Sequence, residues 1–287
     1  MLPFFPIPYP DELLYSLMCR YHVRSGNRSF RQTQVDLFNR GGVKQYYLGL
    51  PNNLATLVHQ LPFGSSLTLN QLLEKHTLFF YYRTFLTNRE VKRLRELMEG
   101  KESKSIAQVA KIPKLKLYYP EYLRFCPQCL VEDLQEYGET YWHRLHQVPG
   151  VRVCLSHGVG LVNSGVLVKE MGKGFVAADE ESCVGEGMNY EEGVLQGLWE
   201  FGKVIEGRMR ENGGFRGLKF LRDEYMSWGW LDERRLEERM LEFYGEAVLR
   251  EVHPEMMDNL GEYVLGCLLG CDVLLEVDRV VHWLVWG

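Results

Sequence analysis

CPQC at residues 126–129 and, 24 residues further on, CLSH at residues 154–157 are the stretch of sequence that decides the fold. Two short Cys/His pairs at this spacing are typical of a zinc ribbon, in which each pair supplies two ligands from one turn. Zinc prefers four sulfur and nitrogen ligands in a tetrahedron, and a site filled in this way is structural rather than catalytic. The spacing therefore predicts a Zn²⁺ site formed by Cys126, Cys129, Cys154 and His157.

Two further histidines lie between the pairs. The segment YWHRLHQVPG, residues 141–150, contains His143 and His146. Either one could replace His157 as the fourth ligand, or both could pack and hydrogen-bond beneath the ribbon. Because Cys154-x-x-His157 mirrors the first pair, we predict that His157 is the ligand.

The cysteines favour a reducing compartment. Their number, seven, is odd, and a Cys-x-x-Cys pair among them favours metal binding plus buried thiols over a secreted disulfide framework. Residues 1–10 alternate Pro with large apolar residues and carry no basic charge, so they do not resemble a secretory signal. We therefore expect a cytoplasmic protein. Buried thiols are expected at the cysteines outside the two pairs, Cys19, Cys183, Cys267 and Cys271.

The most apolar late stretch, residues 263–286, is interrupted by charged side chains at Asp272, Glu276, Asp278 and Arg279. A helix that spans a bilayer tolerates such charges poorly. No membrane span is expected.

Hydrophobic spacing predicts two short helices near the N-terminus. The segment DELLYSLMCRYHVRSG, residues 11–26, has apolar side chains at helical intervals and ends on Gly26, a suitable C-cap. Ser29 can cap a second helix, FRQTQVDLFNR, which closes at the Gly41-Gly42 pair. Two helices joined by a tight turn resemble a helix-turn-helix, an arrangement that suits DNA binding, although many such pairs only pack.

The remaining sequence predicts a mainly α-helical protein. Short helices are expected over residues 53–61 and 69–80, and a further helix is expected to begin at a cap formed by Thr87 or Asn88. Residues 103–120 are basic and punctuated by Pro, as in a connector. The predicted division is a helix-turn-helix-like domain at 1–100, a zinc ribbon domain at 101–165 and an acidic helical domain at 166–287, with helices at 191–210 and 235–252.

The net charge of −5 conceals an asymmetry between the two parts of the chain. Residues 1–163 contain 20 Lys and Arg against 13 Asp and Glu, whereas residues 164–287 contain 13 basic and 25 acidic residues. Charge acts locally, because salt screens it over about 10 Å. The first part could therefore meet nucleic acid, and the second could not do so unaided.

The residues around the zinc motif resemble a known family. CPQC followed by YWHRLHQVPGVRVCLSHGVGL resembles the zinc-binding core of the TniQ/TnsD family of transposition proteins. The opening PYPDELLYSLMCRYHVRSG is similar to that family's Pro-x-Glu-x-x-x-Ser helix start, matched by Pro10, Glu12 and Ser16. The resemblance covers residues 6–163, with a weaker similarity over residues 215–252.

This resemblance implies a non-enzymatic protein that marks an insertion site and recruits the AAA+ transposition regulator TnsC. Some members of the family bind an attachment site on DNA, and shorter ones are similar to adaptors that act with a CRISPR effector complex and its guide RNA. The size of this chain and its acidic second part favour the adaptor form. The family precedent also implies a homodimer.

Two other functional classes compete with the adaptor. An enzyme should show a reactive constellation, but the sequence contains no P-loop, Gly-x-Ser-x-Gly, His-Glu-x-x-His or dinucleotide-binding glycine motif. A sequence-specific DNA-binding protein would use side chains on or beside the second helix, and the candidates are Arg28, Arg31, Gln32 and Gln34. The same residue types also face water on many amphipathic helices.

Overall fold

The computed structural model of the chain is mainly α-helical in the part that it describes, as the sequence predicts, and that part contains one two-stranded sheet. The described residues are 1–39, 49–84, 86–101, 105–110, 120–210, 226–227, 229, 232–252 and 254–262. In chain order the elements are α1 (Leu14–Ser25), α2 (Phe30–Phe38), α3 (Leu54–Gln60), α4 (Leu69–His76), α5 (Phe79–Arg83), α6 (Asn88–Glu99), α7 (Ile106–Val109), β1 (Tyr122–Phe125), α8 (Pro127–Tyr137), β2 (Val162–Leu167), α9 (Glu192–Arg210), α10 (Glu233–Tyr244) and α11 (Glu246–Val252).

Helices α1 and α2 begin and end where local chemistry requires. Gly26 closes α1 in the left-handed conformation, with φ of 69°. The Ser29 hydroxyl accepts a hydrogen bond from Gln32 N and caps α2. Helix α2 ends at Asn39, which is also left-handed, with φ of 56°. The predicted closure at Gly41 and Gly42 lies outside the described residues.

The helix predicted over residues 69–80 is divided in two. Helix α4 stops at His76 because Thr77 adopts an extended backbone, and its hydroxyl donates to Leu73 O at 2.6 Å. Helix α5 then starts at Phe79. Helix α6 begins as expected at Thr87, which forms a capping box with Glu90.

The helix start at the N-terminus is bound to the segment between the two Cys/His pairs. Leu13 N donates to Trp142 O at 2.9 Å, and Arg144 N donates to Asp11 O at 2.7 Å. The Ser16 hydroxyl accepts from Trp142 N at 3.1 Å. The two regions share one continuous hydrophobic core. The boundary predicted after residue 100 therefore does not separate two independent cores.

Arg20 is the centre of a buried charge cluster at this junction. Its guanidinium contacts Glu12 Oε2 at 2.8 Å and Glu139 Oε1 at 2.7 Å. Only 4% of the Arg20 side chain and none of the Glu12 side chain is exposed. The Tyr9 ring lies 3.8 Å from the guanidinium carbon, and its hydroxyl donates to Glu139 Oε1 at 2.8 Å. The cluster joins the N-terminal arm, helix α1 and the loop after α8 in one place.

The sheet and the loop that follows it extend the same body beyond residue 165. Strands β1 and β2 are antiparallel, with Arg124 opposite Asn163. The boundary predicted between residues 165 and 166 therefore falls inside β2, and a division there would cut a paired strand. The strand was not anticipated from the sequence, because its Asn, Ser and Gly residues give little period-2 hydrophobic signal.

Residues 171–178 form a strap across helix α1. The Tyr15 hydroxyl donates to Gly174 O at 3.0 Å and accepts from Val176 N at 3.1 Å. Trp142 Nε1 donates to Val176 O at 2.9 Å. The strap thus covers both the first helix and the buried Trp142 ring.

The C-terminal helices pack on the second Cys/His pair. Trp199 Nε1 on α9 donates to Leu155 O at 3.1 Å. Gly202 allows α9 to approach closely, because a Cβ atom there would lie 2.5 Å from Leu155 Cδ2. Arg152 forms an ion pair with Glu251 on α11 at 3.0 Å. These helices therefore support the region of the second Cys/His pair through contacts that α1 does not make.

The helices predicted after residue 190 are present, and Gly245, with φ of 76°, divides the range 235–252 into α10 and α11. Cys19 is buried as predicted and Cys183 is half-buried. Cys267, Cys271 and the apolar stretch at 263–286 lie outside the described residues. In the part that is described, no helix combines the length and apolarity needed to cross a bilayer.

Replacement of Arg20 tests the buried cluster. Arg20→Ala leaves the fully buried Glu12 carboxylate without its cation, so we expect a loss of about 3–5 kcal/mol in the free energy of unfolding at pH 8. Arg24→Ala is the matched control, because Arg24 contacts the same Glu139 but its side chain is 44% exposed. The control should cost at most about 1 kcal/mol by urea denaturation. Equal losses in the free energy of unfolding for Arg20→Ala and Arg24→Ala would show that Arg20 is not the cation of a buried cluster.

Glu12 should make stability depend on pH. Burial raises its pKa from 4.5 to about 7, against the opposing attraction of Arg20. A carboxyl with a raised folded-state pKa binds its proton more tightly in the folded protein, so stability falls as pH rises from about 4.5 through 7. The free energy of unfolding of the wild type relative to Glu12→Gln should therefore decrease between pH 5.5 and pH 8. A difference that stays constant or increases would contradict the buried environment of this carboxyl.

Candidate metal centre

The first Cys pair lies at the N-terminus of helix α8. Cys126 directly follows β1 and occupies the N-cap, Pro127 starts the helix, and Cys129 lies in its first turn. The sequence predicted a simple turn here. Pro explains the helix instead, because its fixed φ suits the first helical position. A helix N-terminus also favours negative charge, so this placement opposes the rise in pKa that the neighbouring sulfurs and burial give the Cys129 thiol.

The second pair lies in a turn closed by backbone hydrogen bonds. Cys154 N donates to Val159 O at 2.8 Å, and Gly158 N donates to Cys154 O at 2.8 Å. Gly158 has φ of 66°, which a side chain would strain. The turn directs Cys154 and His157 to the same side, towards the first pair.

A buried arginine fixes the distance between the pairs. The Arg124 side chain in β1 donates to Val148 O at 2.9 Å and to Val151 O at 2.5 Å. The Gln147 amide bonds both the N–H and the carbonyl of Arg124, at 2.9 Å and 2.7 Å. The strand that leads to Cys126 is therefore fastened to the segment that leads to Cys154.

These elements bring four donor atoms into one cluster. His157 Nδ1 lies 3.5 Å from Cys126 Sγ, 3.3 Å from Cys129 Sγ and 3.4 Å from Cys154 Sγ. The Cys129 and Cys154 sulfurs are 3.6 Å apart. A zinc ion with ordinary Zn–S and Zn–N bonds in a tetrahedron separates its ligand atoms by about 3.5–3.8 Å. The four side chains thus fit a tetrahedral cation in spacing and in number.

Their chemistry fits the same cation. The neighbouring sulfurs, Cys126 first and then Cys154, together with burial raise the pKa of the Cys129 thiol. Three thiolates at this spacing repel one another, and a divalent cation bound between them removes that repulsion. Soft sulfur and imidazole donors suit Zn²⁺ and do not suit Mg²⁺ or Ca²⁺.

A carboxylate orients the imidazole of His157. Its Nε2 lies 3.0 Å from Glu132 Oε1, while Nδ1 faces the three sulfurs. A hydrogen bond from Nε2–H to Glu132 leaves Nδ1 unprotonated and free to bind metal. This is the usual arrangement of a ligating histidine and an outer carboxylate.

The two other histidines occupy a neighbouring position. With Cys129 they form a second group of donor atoms within 4.8 Å of one another. His146 Nε2 is 3.9 Å from Cys129 Sγ, and His143 Nε2 pairs with Asp133 Oδ2 at 3.0 Å. His157 is therefore the histidine in contact with all three cysteines, and the stack of His143 on His146 lies beside the cluster.

Sequence reasoning did not identify the two carboxylates of this site. Glu132 and Asp133 follow Cys129 by three and four residues on α8, so all three side chains share one helix face. Their spacing after Cys129 would have indicated these carboxylates if the Cys pair had been placed on a helix rather than in a turn.

The predicted nucleic-acid residues are not all on the surface. Arg28, Arg31 and Gln32 are exposed at the start of α2, whereas Gln34 is buried, with 3% of its surface accessible. Gln34 therefore does not present its amide to a base edge in this conformation, because it faces the side of α2 that packs on the core.

Sequence comparisons concern the same part of the molecule. A profile of the TniQ family matches residues 3–161, more than half of the chain. The chain belongs to the TniQ family. The Transposon Tn7 transposition protein TnsD of Escherichia coli is 29% identical over 154 residues, which are 54% of this chain and 30% of that relative. This TniQ protein thus spans less than a third of the relative's length. The matched region contains all four clustered Cys and His residues and the Arg20 charge cluster.

Removal of a ligand should destabilise the protein. We expect Cys126→Ser and Cys154→Ser to lose bound zinc and more than about 4 kcal/mol of the free energy of unfolding, because metal binding and folding are coupled. Zinc content and urea denaturation measure both effects. Cys183→Ser is the matched control, since Cys183 lies outside the cluster. Normal melting and solubility of both ligand variants would exclude a structural role for metal.

Proposed function

We propose that this protein is a non-enzymatic adaptor that selects the target site in DNA transposition and recruits the AAA+ regulator TnsC to it. The observation that carries the proposal is the match of residues 3–161 to the TniQ family, supported by the 29% identity to TnsD over 154 residues. The matched region contains the buried charge cluster and the cysteine cluster.

The proposed role of the metal is structural. Zn²⁺ bound by Cys126, Cys129, Cys154 and His157 would supply folding energy and join β1, α8 and the second turn. Four protein side chains then fill the four coordination positions, so the centre offers no open position to a substrate. The surrounding residues hold a surface in a fixed shape for a partner.

The distribution of charge favours an adaptor that depends on a partner for its site. The 25 acidic residues of positions 164–287 repel a phosphate backbone, so this part of the chain does not bind free DNA tightly. In our proposal a CRISPR effector complex with its guide RNA supplies the sequence specificity, and the adaptor acts as a homodimer in the cytoplasm.

A second function is favoured by one observation. Arg28, Arg31 and Gln32 are exposed together at the N-terminus of α2, after the turn that joins it to α1. Arg and Gln side chains at the start of a helix reach base edges in the major groove. Direct reading of an attachment site on DNA is therefore the alternative.

DNA binding distinguishes the two functions. For the adaptor we expect weak binding of the zinc-loaded full chain to duplex DNA from its own locus, equally weak binding to unrelated duplexes, and a steep loss of binding with salt. The double variant Arg28→Gln, Arg31→Gln should then change little. The control is Arg234→Gln, an exposed arginine on the acidic helix α10. Tight, sequence-selective binding that only the double variant abolishes would establish the direct reader instead.

Recruitment is tested with the partner itself. Purified TnsC, with ATP and DNA, should co-purify with the zinc-loaded wild type and not with Cys126→Ser, while Cys183→Ser should behave as the wild type. If the wild type fails to retain TnsC both with and without the effector complex, the recruiting role is wrong.

A further inference from the structure

His146 touches the cysteine cluster without taking one of its four positions. Its side chain is buried in the short helical turn Leu145–Gln147, with 5% of its surface accessible. Nε2 lies 3.9 Å from Cys129 Sγ, compared with 3.3 Å for His157 Nδ1. At this distance Nε2 lies at the long end of the range for an N–H···S hydrogen bond, and His146 can contact the sulfur as a donor if the ring carries its proton on Nε2.

A series of contacts holds the His146 ring and ends at Asp133 on helix α8. His143 stacks on His146 with ring centroids 4.7 Å apart, and Tyr141 stacks on His143 at 4.2 Å. His143 Nε2 contacts Asp133 Oδ2 at 3.0 Å. Asp133 follows Cys129 by one helical turn, so the same helix carries the sulfur and the outer end of the chain.

A pocket open to solvent borders the cysteine that His146 faces. A pocket of about 400 Å³ is lined by Cys129, Cys154 and His146, together with residues of α8. Small molecules in solvent can therefore reach the wall that these cysteines form, although little of either residue is exposed. A metal-bound thiolate in such a place keeps the charge that makes sulfur nucleophilic.

We propose that His146 donates a hydrogen bond to the Cys129 thiolate and thereby lowers the reactivity of this metal-bound sulfur towards electrophiles that enter the pocket. His146 is a positioning residue in this scheme, and Asp133 acts on it through His143. Hydrogen bonds to a charged acceptor are stronger than neutral ones, and withdrawal of charge from sulfur opposes its attack on an electrophile. The inference rests on the zinc centre proposed above.

The experiment compares His146→Leu, which lacks the donor, with His146→Gln, whose amide can supply one from a similar position. Zinc-loaded full-length variants are treated with iodoacetamide, and zinc release is followed with a chromophoric chelator. We expect His146→Leu to release zinc faster by roughly three- to tenfold, the effect of one hydrogen bond, while His146→Gln stays near the wild-type rate. In the cobalt-substituted protein the thiolate-to-metal absorption should shift to lower energy only in His146→Leu.

Any other result for zinc content, release rate or cobalt spectrum would overturn the inference, and these measurements distinguish the reasons. If His146→Leu binds less than one zinc, as His157→Ala should, His146 is a ligand. If its release rate and cobalt spectrum match the wild type while its melting temperature falls, His146 only fills the core. A wild type that binds no metal would overturn the metal centre as well as this inference. If the wild type and His146→Leu each bind one zinc and release it at the same rate, this inference alone is wrong.

Discussion

A guanidinium held between two carboxylates ties the N-terminal arm to the part of the chain that carries the cysteines. Arg20 lies on α1, Glu12 precedes that helix, and Glu139 follows α8, so the cluster joins segments more than a hundred residues apart. Charges removed from water in this way are stable only together. The position of α8, and with it the first Cys pair, therefore depends on an ion pair that the cysteines themselves do not touch.

The second constraint is the pairing of backbones next to this cluster. Residues around Ser16 bond the chain at Trp142, and the strap at residues 171–178 bonds Tyr15 and Trp142 from the other side. Trp142 is completely buried as a result. The segment between the two Cys/His pairs is thus held by α1, by the strap and by α9, and the metal ligands project from a segment that is supported on several sides.

Sequence patterns predicted the structural features that depend on residues close together in the chain. The Cys pairs, the Gly26 and Ser29 caps and the apolar spacing of α1 are local, and the structure contains them where the patterns indicate. What depends on tertiary packing was not predicted. Gln34 is buried because α2 packs on the core. Strand β2 was not anticipated, because a six-residue strand with Asn, Ser and Gly gives little periodic hydrophobic signal. Glu132 and Asp133 were missed because their meaning depends on α8 beginning at Cys126.

Because of the strap, the region that matches the family profile does not contain all of its own hydrogen-bond partners. The family profile ends at residue 161, yet the main chain at residues 174 and 176 supplies the partners of the Tyr15 hydroxyl and the Trp142 indole. Both rings lie inside the region that the family shares, and both would lose those partners in a chain cut where the similarity stops. The segment that matches the family profile is thus shorter than the segment whose contacts hold it together. The extra residues brace the shared region through their peptide groups and through Phe175, whose ring contacts those of Tyr15 and Phe30.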